Sequence, residues 1–223
     1  MQWRHEWKHE VTPSDRIALR QRLGAVCKLD SHATNGSYRI RSLYFDNLAD
    51  KALREKIDGV DRREKWRIRY YDGNTNLIHL ERKAKAHGLG TKDSCSLTAN
   101  EAQSIVEGNT AWMSCDDRQL VRRLAMAMTC GGMRPRTIVD YEREPYLFPA
   151  GNVRVTIDFN IRTGLSCIDF LDSSCATAPV PGNPIILEVK WDEFLPSIVR
   201  DAVQLTGRRT SSYSKYAAAR AYD

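Results

Sequence analysis

Between Arg63 and Lys85 the chain carries two alternating runs that gather most of their charge on one side. A two-residue repeat sets Arg63, Lys65, Arg67, Arg69 and Tyr71 on one face and Glu64, Trp66, Ile68 and Tyr70 on the other. Asp72-Gly73-Asn74 reads as a turn. The return run sets Leu77, His79, Glu81, Lys83 and Lys85 opposite Ile78, Leu80, Arg82 and Ala84. One face of this hairpin is thus cationic with a lone carboxylate in it. Like charges directly across a strand pair repel, and a bound anion is the simplest thing that offsets the repulsion. A face solvated by water alone is the other reading of the same pattern.

The residue types narrow the chemistry. Arginine grips non-bridging phosphate oxygens in pairs, and lysine adds mobile point charge. Four carboxylates fall among the cationic positions: Glu6, Glu81, Glu188 and Asp158. They repel a polyphosphate unless they pair with neighbouring cations or hold a divalent metal. Mg²⁺ and Mn²⁺ take oxygen ligands and commonly bind one or two carboxylates plus substrate phosphates. For each carboxylate taken alone, ion pairing and metal binding both stay open.

The elements that position these side chains alternate along the chain. The run from Trp3 to Val11 reads as a strand with Arg4, Glu6, Lys8 and Glu10 on one side. Thr12, Pro13 and Asp15 form a capping-box-like helix start, with Leu19, Leu23, Val26 and Cys27 on the buried stripe. Tyr38 to Phe45 is a strand whose Arg39 and Arg41 share a face, and a short helix covers about Ala49 to Ile57. His87 to Lys92 reads as a flexible basic segment able to close over a ligand or hang in solvent. Helices are expected from Thr98 to Glu107 and from Asp116 to Met128. Strands follow over Thr137 to Glu144, over Val153 to Phe159 and over Ile185 to Trp191, which presents Ile186, Glu188 and Lys190 together. Two helices close the chain, one after Pro196 and one after Ser211 or Ser212 to about Ala221. Several amphipathic strands with cations on one face are best accommodated by curling the sheet, so that the charges line a wet lumen and the other face packs on helices. The expected fold is α+β, an antiparallel β-barrel with flanking helices whose interior is a binding site.

Composition agrees with a soluble globular chain. Of 223 residues, 28% are charged and 42% apolar, enough for a sizeable core in a single domain spanning 1–223. No run approaches a membrane span, the first residues lack the apolar stretch of a signal peptide, and a cytoplasmic location is expected. Six cysteines without a CxxC pair read as reduced thiols. The net charge of +6 points to an anionic partner. Nucleic acid is disfavoured, because the cations alternate on strands with carboxylates and no recognition helix or RNA-binding aromatic motif is present.

Eight segments carry a resemblance in one order: Arg4-His5-Glu6-Trp7-Lys8, Tyr38 to Asp46, Arg63 to Tyr71, Leu80-Glu81-Arg82-Lys83-Ala84-Lys85, Tyr141-Glu142-Arg143, Arg154-Val155-Thr156-Ile157-Asp158, Leu187-Glu188-Val189-Lys190 and Ser212-Tyr213-Ser214-Lys215-Tyr216. The chain resembles the bacterial VTC-type polyphosphate polymerase domain, within the CYTH or triphosphate-tunnel group. The resemblance implies an antiparallel, roughly eight-stranded triphosphate tunnel binding triphosphate or polyphosphate with Mn²⁺ or Mg²⁺. It implies that Glu6 and Lys8 form the first-strand signature, that Lys65, Arg67, Lys83, Arg143 and Arg154 hold phosphates, and that Arg39, Arg41, Arg69, Lys85 and Lys190 are further liners. Glu188 matches the metal-binding glutamate and Lys215 the lysine of the C-terminal helix. Lys65, Arg67, Glu188 and Lys215 are the expected catalytic set, and Glu188, Glu6, Glu81 and Asp158 the expected metal set. The implied activity is transfer of the terminal phosphoryl group of a nucleoside triphosphate to a phosphate or inorganic polyphosphate chain, with a membrane-protein partner allowed for. A triphosphatase and a non-catalytic polyphosphate or nucleotide-binding module are the alternatives.

Overall fold

A computed structural model of the chain describes residues 4–207 and 210–222. Trp3, included in the expected first strand, lies outside the described residues. The elements run β1 (His5–Val11), α1 (Pro13–Val26), β2 (Lys28–Leu29), β3 (Tyr38–Asp46), α2 (Lys51–Ile57), β4 (Arg63–Tyr71), β5 (Ile78–Ala86), β6 (Leu89–Leu97), α3 (Ala99–Val106) and α4 (Gln119–Thr129). They continue with β7 (Arg134–Phe148), β8 (Val153–Thr163), β9 (Ala178–Pro179), β10 (Ile185–Trp191), α5 (Ser197–Val203) and α6 (Lys215–Ala219). Helix α1 opens on the expected capping box: Asp15 N–H donates to Thr12 Oγ1 at 3.2 Å, and Thr12 N–H to the Asp15 carboxylate at 2.9 Å.

Eight long strands form one antiparallel sheet in the order β1-β10-β8-β7-β3-β4-β5-β6, with β2 and β9 as short additions on β7 and β8. The sheet curls until its outer strands touch at one bridge, between Arg4 and Gly90. The expected barrel is therefore a curled sheet whose edges meet at that point, without a ladder along β1 and β6 among the described residues.

Alternation sorts the side chains. Leu43, Phe45, Trp66, Ile68 and Leu80 face outward beneath α3 and α4, and Val155, Ile157, Leu187 and Val189 face outward beneath α1 and α5. A third apolar cluster occupies one end of the concave face, where Tyr44, Val139, Tyr141 and Ile161 receive Tyr216 and Ala219 of α6.

One expectation needs correction, and a cysteine pair needs note. The segment expected to be flexible at His87–Lys92 is a tight hairpin and the start of β6. His87 and Gly88 take positive φ of 52° and 77°, the conformation a two-residue hairpin loop needs, and Gly90 and Lys92 pair with Lys85 and Lys83. Cys167 and Cys175, expected as thiols, bring their sulfurs close together across a short loop. Turns at both ends of their loop, with Cys167 N–H on the Gly164 carbonyl and Cys175 N–H on that of Asp172, fold it around buried Phe170. A spacing of eight residues gives no local signal of that return.

Asp46, fully buried at the end of β3, joins three elements. Its carboxylate accepts from the N–H groups of Asn47, Ala52 and Leu53 and, at 2.7 Å, from the hydroxyl of Tyr216 in α6. Removing it strands several buried donors. Asp46→Ala is expected to cost about 3 kcal/mol in urea unfolding, and Asp46→Asn, which keeps one oxygen, distinctly less.

Candidate functional site

The concave face encloses a cavity of about 650 Å³ lined by β1, β4, β5, β7, β8, β10 and residues 211–216. One wall is mostly cationic, with Glu81 as the carboxylate on it. Across β4 and β5, Arg63 stands opposite Lys85 and Lys65 opposite Lys83. Among the described residues, none of the four pairs with a carboxylate. Lys65 Nζ donates to Ser214 Oγ at 2.9 Å. Burial, then the charges of Lys56, Lys8 and Arg63, push the Lys65 ammonium down to about 7. Lys83 is pushed well below the usual lysine range by Arg67 first, and by burial and Lys190 after it.

The facing wall is balanced. Glu6, Lys8, Glu188 and Lys190 come from paired strands, with Lys8 opposite Glu188 and Glu6 opposite Lys190. Lys8 lies 3.1 Å from Glu6 and 3.9 Å from Glu188; Lys190 lies 3.2 Å from Glu6 and also pairs with Glu188. Burial pushes the Glu188 carboxyl up, but Lys190, Lys8 and Arg143 outweigh it and hold the group well below the usual range. Glu188 is an anion in this setting.

The floor consists of bound cations. Arg67 donates to Glu81 at 2.7 Å and to the Tyr44 hydroxyl at 2.9 Å. Arg69 donates to Ser42 and to the Tyr141 hydroxyl, each at 2.9 Å. Arg143 grips Asp158 through two bonds of 2.6 and 2.7 Å, and Lys215 of α6 reaches the same carboxylate at 2.6 Å. Burial raises the Asp158 carboxyl, yet Arg143 and Lys215 draw it down to about 2. Such pairs fix geometry, because removing either partner leaves a buried uncompensated charge.

The structure brings most of the expected residues together. Glu6, Lys8, Lys65, Arg67, Arg69, Glu81, Lys83, Lys85, Arg143, Arg154, Glu188, Lys190 and Lys215 all line the cavity, and Asp158 lies beneath it, holding two of them. Arg39 and Arg41 are corrections. The inward face of β3 is Tyr38, Ile40, Ser42 and Tyr44, so both arginines point outward, where Arg39 is exposed. Arg41 is tied to Asp140 and to the carbonyl of Asp172. Lys56, Tyr44 and Tyr141 also line the cavity without having been singled out. Tyr141 was legible in principle, sharing the register of Arg143, whereas Tyr44 lies on the face of β3 opposite the arginines expected inside, and Lys56 sits on a helix whose docking no local pattern gives.

The carboxylates differ in what they offer a metal. Glu81 is committed to Arg67 and to Lys92 at 3.2 Å, and Asp158 to Arg143 and Lys215, so neither keeps the free oxygens expected of a ligand. No group of three His, Cys, Asp or Glu side chains suited to a metal assembles among the described residues. Glu6 and Glu188 are ion-paired too, but only with Lys8 and Lys190, ammoniums about a quarter exposed, whereas Glu81 and Asp158 are each held by a largely buried guanidinium. Two carboxylates fit an ion that draws its other oxygens from water and phosphate.

Similar architecture is present in PH1012 from Pyrococcus horikoshii OT3, 13% identical with a TM-score of 0.52 over 95% of this chain and 96% of that one. The bh2851 protein of Bacillus halodurans is 11% identical, with a TM-score of 0.50 over 84% of this chain and 81% of its own. At these identities the likeness is one of fold. No curated protein matches the sequence. The assignment comes instead from a family model that spans the curled sheet, both cavity walls and α6: over residues 3–222 the chain matches the VTC domain and belongs to that family.

Proposed function

We propose that the protein is a divalent-metal-dependent polyphosphate polymerase, moving the terminal phosphoryl group of a nucleoside triphosphate onto phosphate or a growing polyphosphate chain. The observation that carries this reading is the uncompensated wall of Arg63, Lys65, Lys83 and Lys85 facing a wall that bears carboxylates. A polyanion satisfies the first wall. Glu6 and Glu188 on the second would hold Mn²⁺ or Mg²⁺, which when bound supplies Lewis-acid polarisation of a phosphate oxygen.

The chain's own residues then position and neutralise. Arg67 and Arg69, fixed by Glu81, Ser42 and two tyrosines, present rigid guanidinium edges. Lys65 and Lys83 supply charge where negative charge spreads over the transferred oxygens. No protein nucleophile is required: an acceptor phosphate oxygen attacks the terminal phosphorus in line, the bond to the bridging oxygen breaks, and the nucleoside diphosphate leaves. Lys215, anchored on Asp158, sets the end of the site nearest α6.

One observation favours hydrolysis of a short triphosphate as a second reading. Tyr216 and Ala219 fill one end of the concave face, which suits a guest that need not pass through. Glu6, with its side chain 35% exposed, is then the carboxylate available to orient water, since Glu81 is committed to Arg67 and Lys92.

Two outcomes are expected. Purified protein given ATP and Mn²⁺ forms polyphosphate resolvable on a gel, and Glu188→Gln and Lys65→Ala each lower the rate by about 100-fold. Orthophosphate alone supports the hydrolytic reading, and binding without turnover supports a non-catalytic module. Binding is also expected to take up protons. Lys65 is partly neutral near pH 7 in the empty cavity and is recharged by an adjacent polyanion, so affinity for tripolyphosphate falls as pH rises above about 7. Calorimetry in buffers of differing ionisation enthalpy measures this uptake, which Lys65→Arg reduces because arginine stays charged.

A further inference from the structure

Thr156 sits at the centre of the inward face of β8, between Arg154 and Asp158, and lines the cavity while only 3% exposed. Among the described residues its hydroxyl has no hydrogen-bond partner. Glu188 stands directly across the strand pair, but its carboxylate is paired with Lys190 and Lys8 rather than with this hydroxyl. Two residues away, Arg154 spends a terminal nitrogen on Asp30 and on the Tyr38 hydroxyl, while its Nε–H is also buried and unpartnered. Buried polar groups are mostly paired, and these two donors stand on successive inward positions of one strand that lines the cavity, where an acceptor arriving from outside would meet both. Both can donate, and the site around them is cationic.

We propose that Thr156 is a further binding residue, its hydroxyl forming with Arg154 Nε–H a donor pair for phosphate oxygens of the bound polyanion beside Glu188. The inference rests on the phosphate-binding reading above and adds to it a neutral contact. Arg154 and Lys190 attract any anion, whereas a short hydroxyl fixes where along the wall a phosphate settles. Because inward residues two apart on a strand stand roughly 7 Å from each other, the two donors serve oxygens on different sides of one phosphate or on adjacent phosphates.

The role makes an unusual pair of demands on one substitution. Thr156→Val keeps the branched shape and strand preference while removing the hydroxyl. An unpartnered buried hydroxyl contributes nothing to the empty protein, so its loss leaves the thermal midpoint of the free full-length chain unchanged or higher. The same loss weakens binding of sodium tripolyphosphate, followed by calorimetry, by about tenfold, whereas Thr156→Ser stays within about threefold of the parent. Unaltered tripolyphosphate affinity in Thr156→Val overturns the inference while leaving the phosphate-binding reading intact. A lowered midpoint in the ligand-free valine variant overturns it too, because the hydroxyl then has a structural partner such as a buried water. Failure of the parent chain to bind tripolyphosphate at all overturns the phosphate-binding reading and this inference with it.

Discussion

Repulsion between like charges across β4 and β5 is the constraint on which the rest of the structure depends. Two unit charges about 5 Å apart at an intermediate effective dielectric interact by about 3 kcal/mol. Arg63 with Lys85 makes one such pair, and beside it Lys65 stands opposite Lys83, both ammoniums held below the usual lysine range, Lys65 by burial first and Lys83 by Arg67 first. The strands stay together because their other face is deeply buried: Trp66, Ile68, Tyr70, Ile78 and Leu80 pack beneath α3 and α4. Burying a side chain of that size contributes about 2 kcal/mol. The apolar face therefore pays for a cationic one, and the curl of the sheet keeps the cations from splaying into solvent.

The two sides of the cavity differ in kind. On β1 and β10 each ammonium has a carboxylate across the strand, and the four groups neutralise one another. On β4 and β5, Arg63, Lys65, Lys83 and Lys85 have no such partner among the described residues. Between them the floor cations are immobilised by Glu81, Asp158 and the tyrosine hydroxyls. The cavity thus presents fixed guanidiniums, ammoniums and a pair of carboxylates in defined places. Helix α6 completes the enclosure through Lys215 on Asp158 and Tyr216 on Asp46, which ties the end of the chain to both the floor and the start of α2.

Much of this was legible in the sequence because period-two alternation is unambiguous where one face is charged and the other apolar. Arg63 to Tyr71 and Ile185 to Trp191 are strands with the bounds and faces that their pattern implies. The failures fall where that contrast is missing. Strand β3 is buried on both sides, so alternation separated Arg39 and Arg41 from Ser42 and Tyr44 without saying which set faces in; the outward position of Arg41 depends on Asp140 and on a loop more than a hundred residues away. Strand β6 was hidden because Leu89-Gly90-Thr91-Lys92 has no apolar face and gains its place only from pairing with β5. For the carboxylates, sequence pattern could not separate ion pairing from metal binding. Contacts made by side chains distant in sequence divide them, tying Asp158 and Glu81 to largely buried guanidiniums and Glu6 and Glu188 to the ammoniums of Lys8 and Lys190.

The stability of a Lys83→Met variant tests the central claim most directly, since it removes one of the facing charges while keeping a long flexible side chain. If the β4–β5 wall is held in electrostatic strain awaiting an anion, the ligand-free variant resists urea better than the parent chain and gains less stability from added tripolyphosphate. If Lys83→Met instead lowers the stability of the ligand-free protein, or gains as much from tripolyphosphate as the parent, the wall is not what the bound anion relieves.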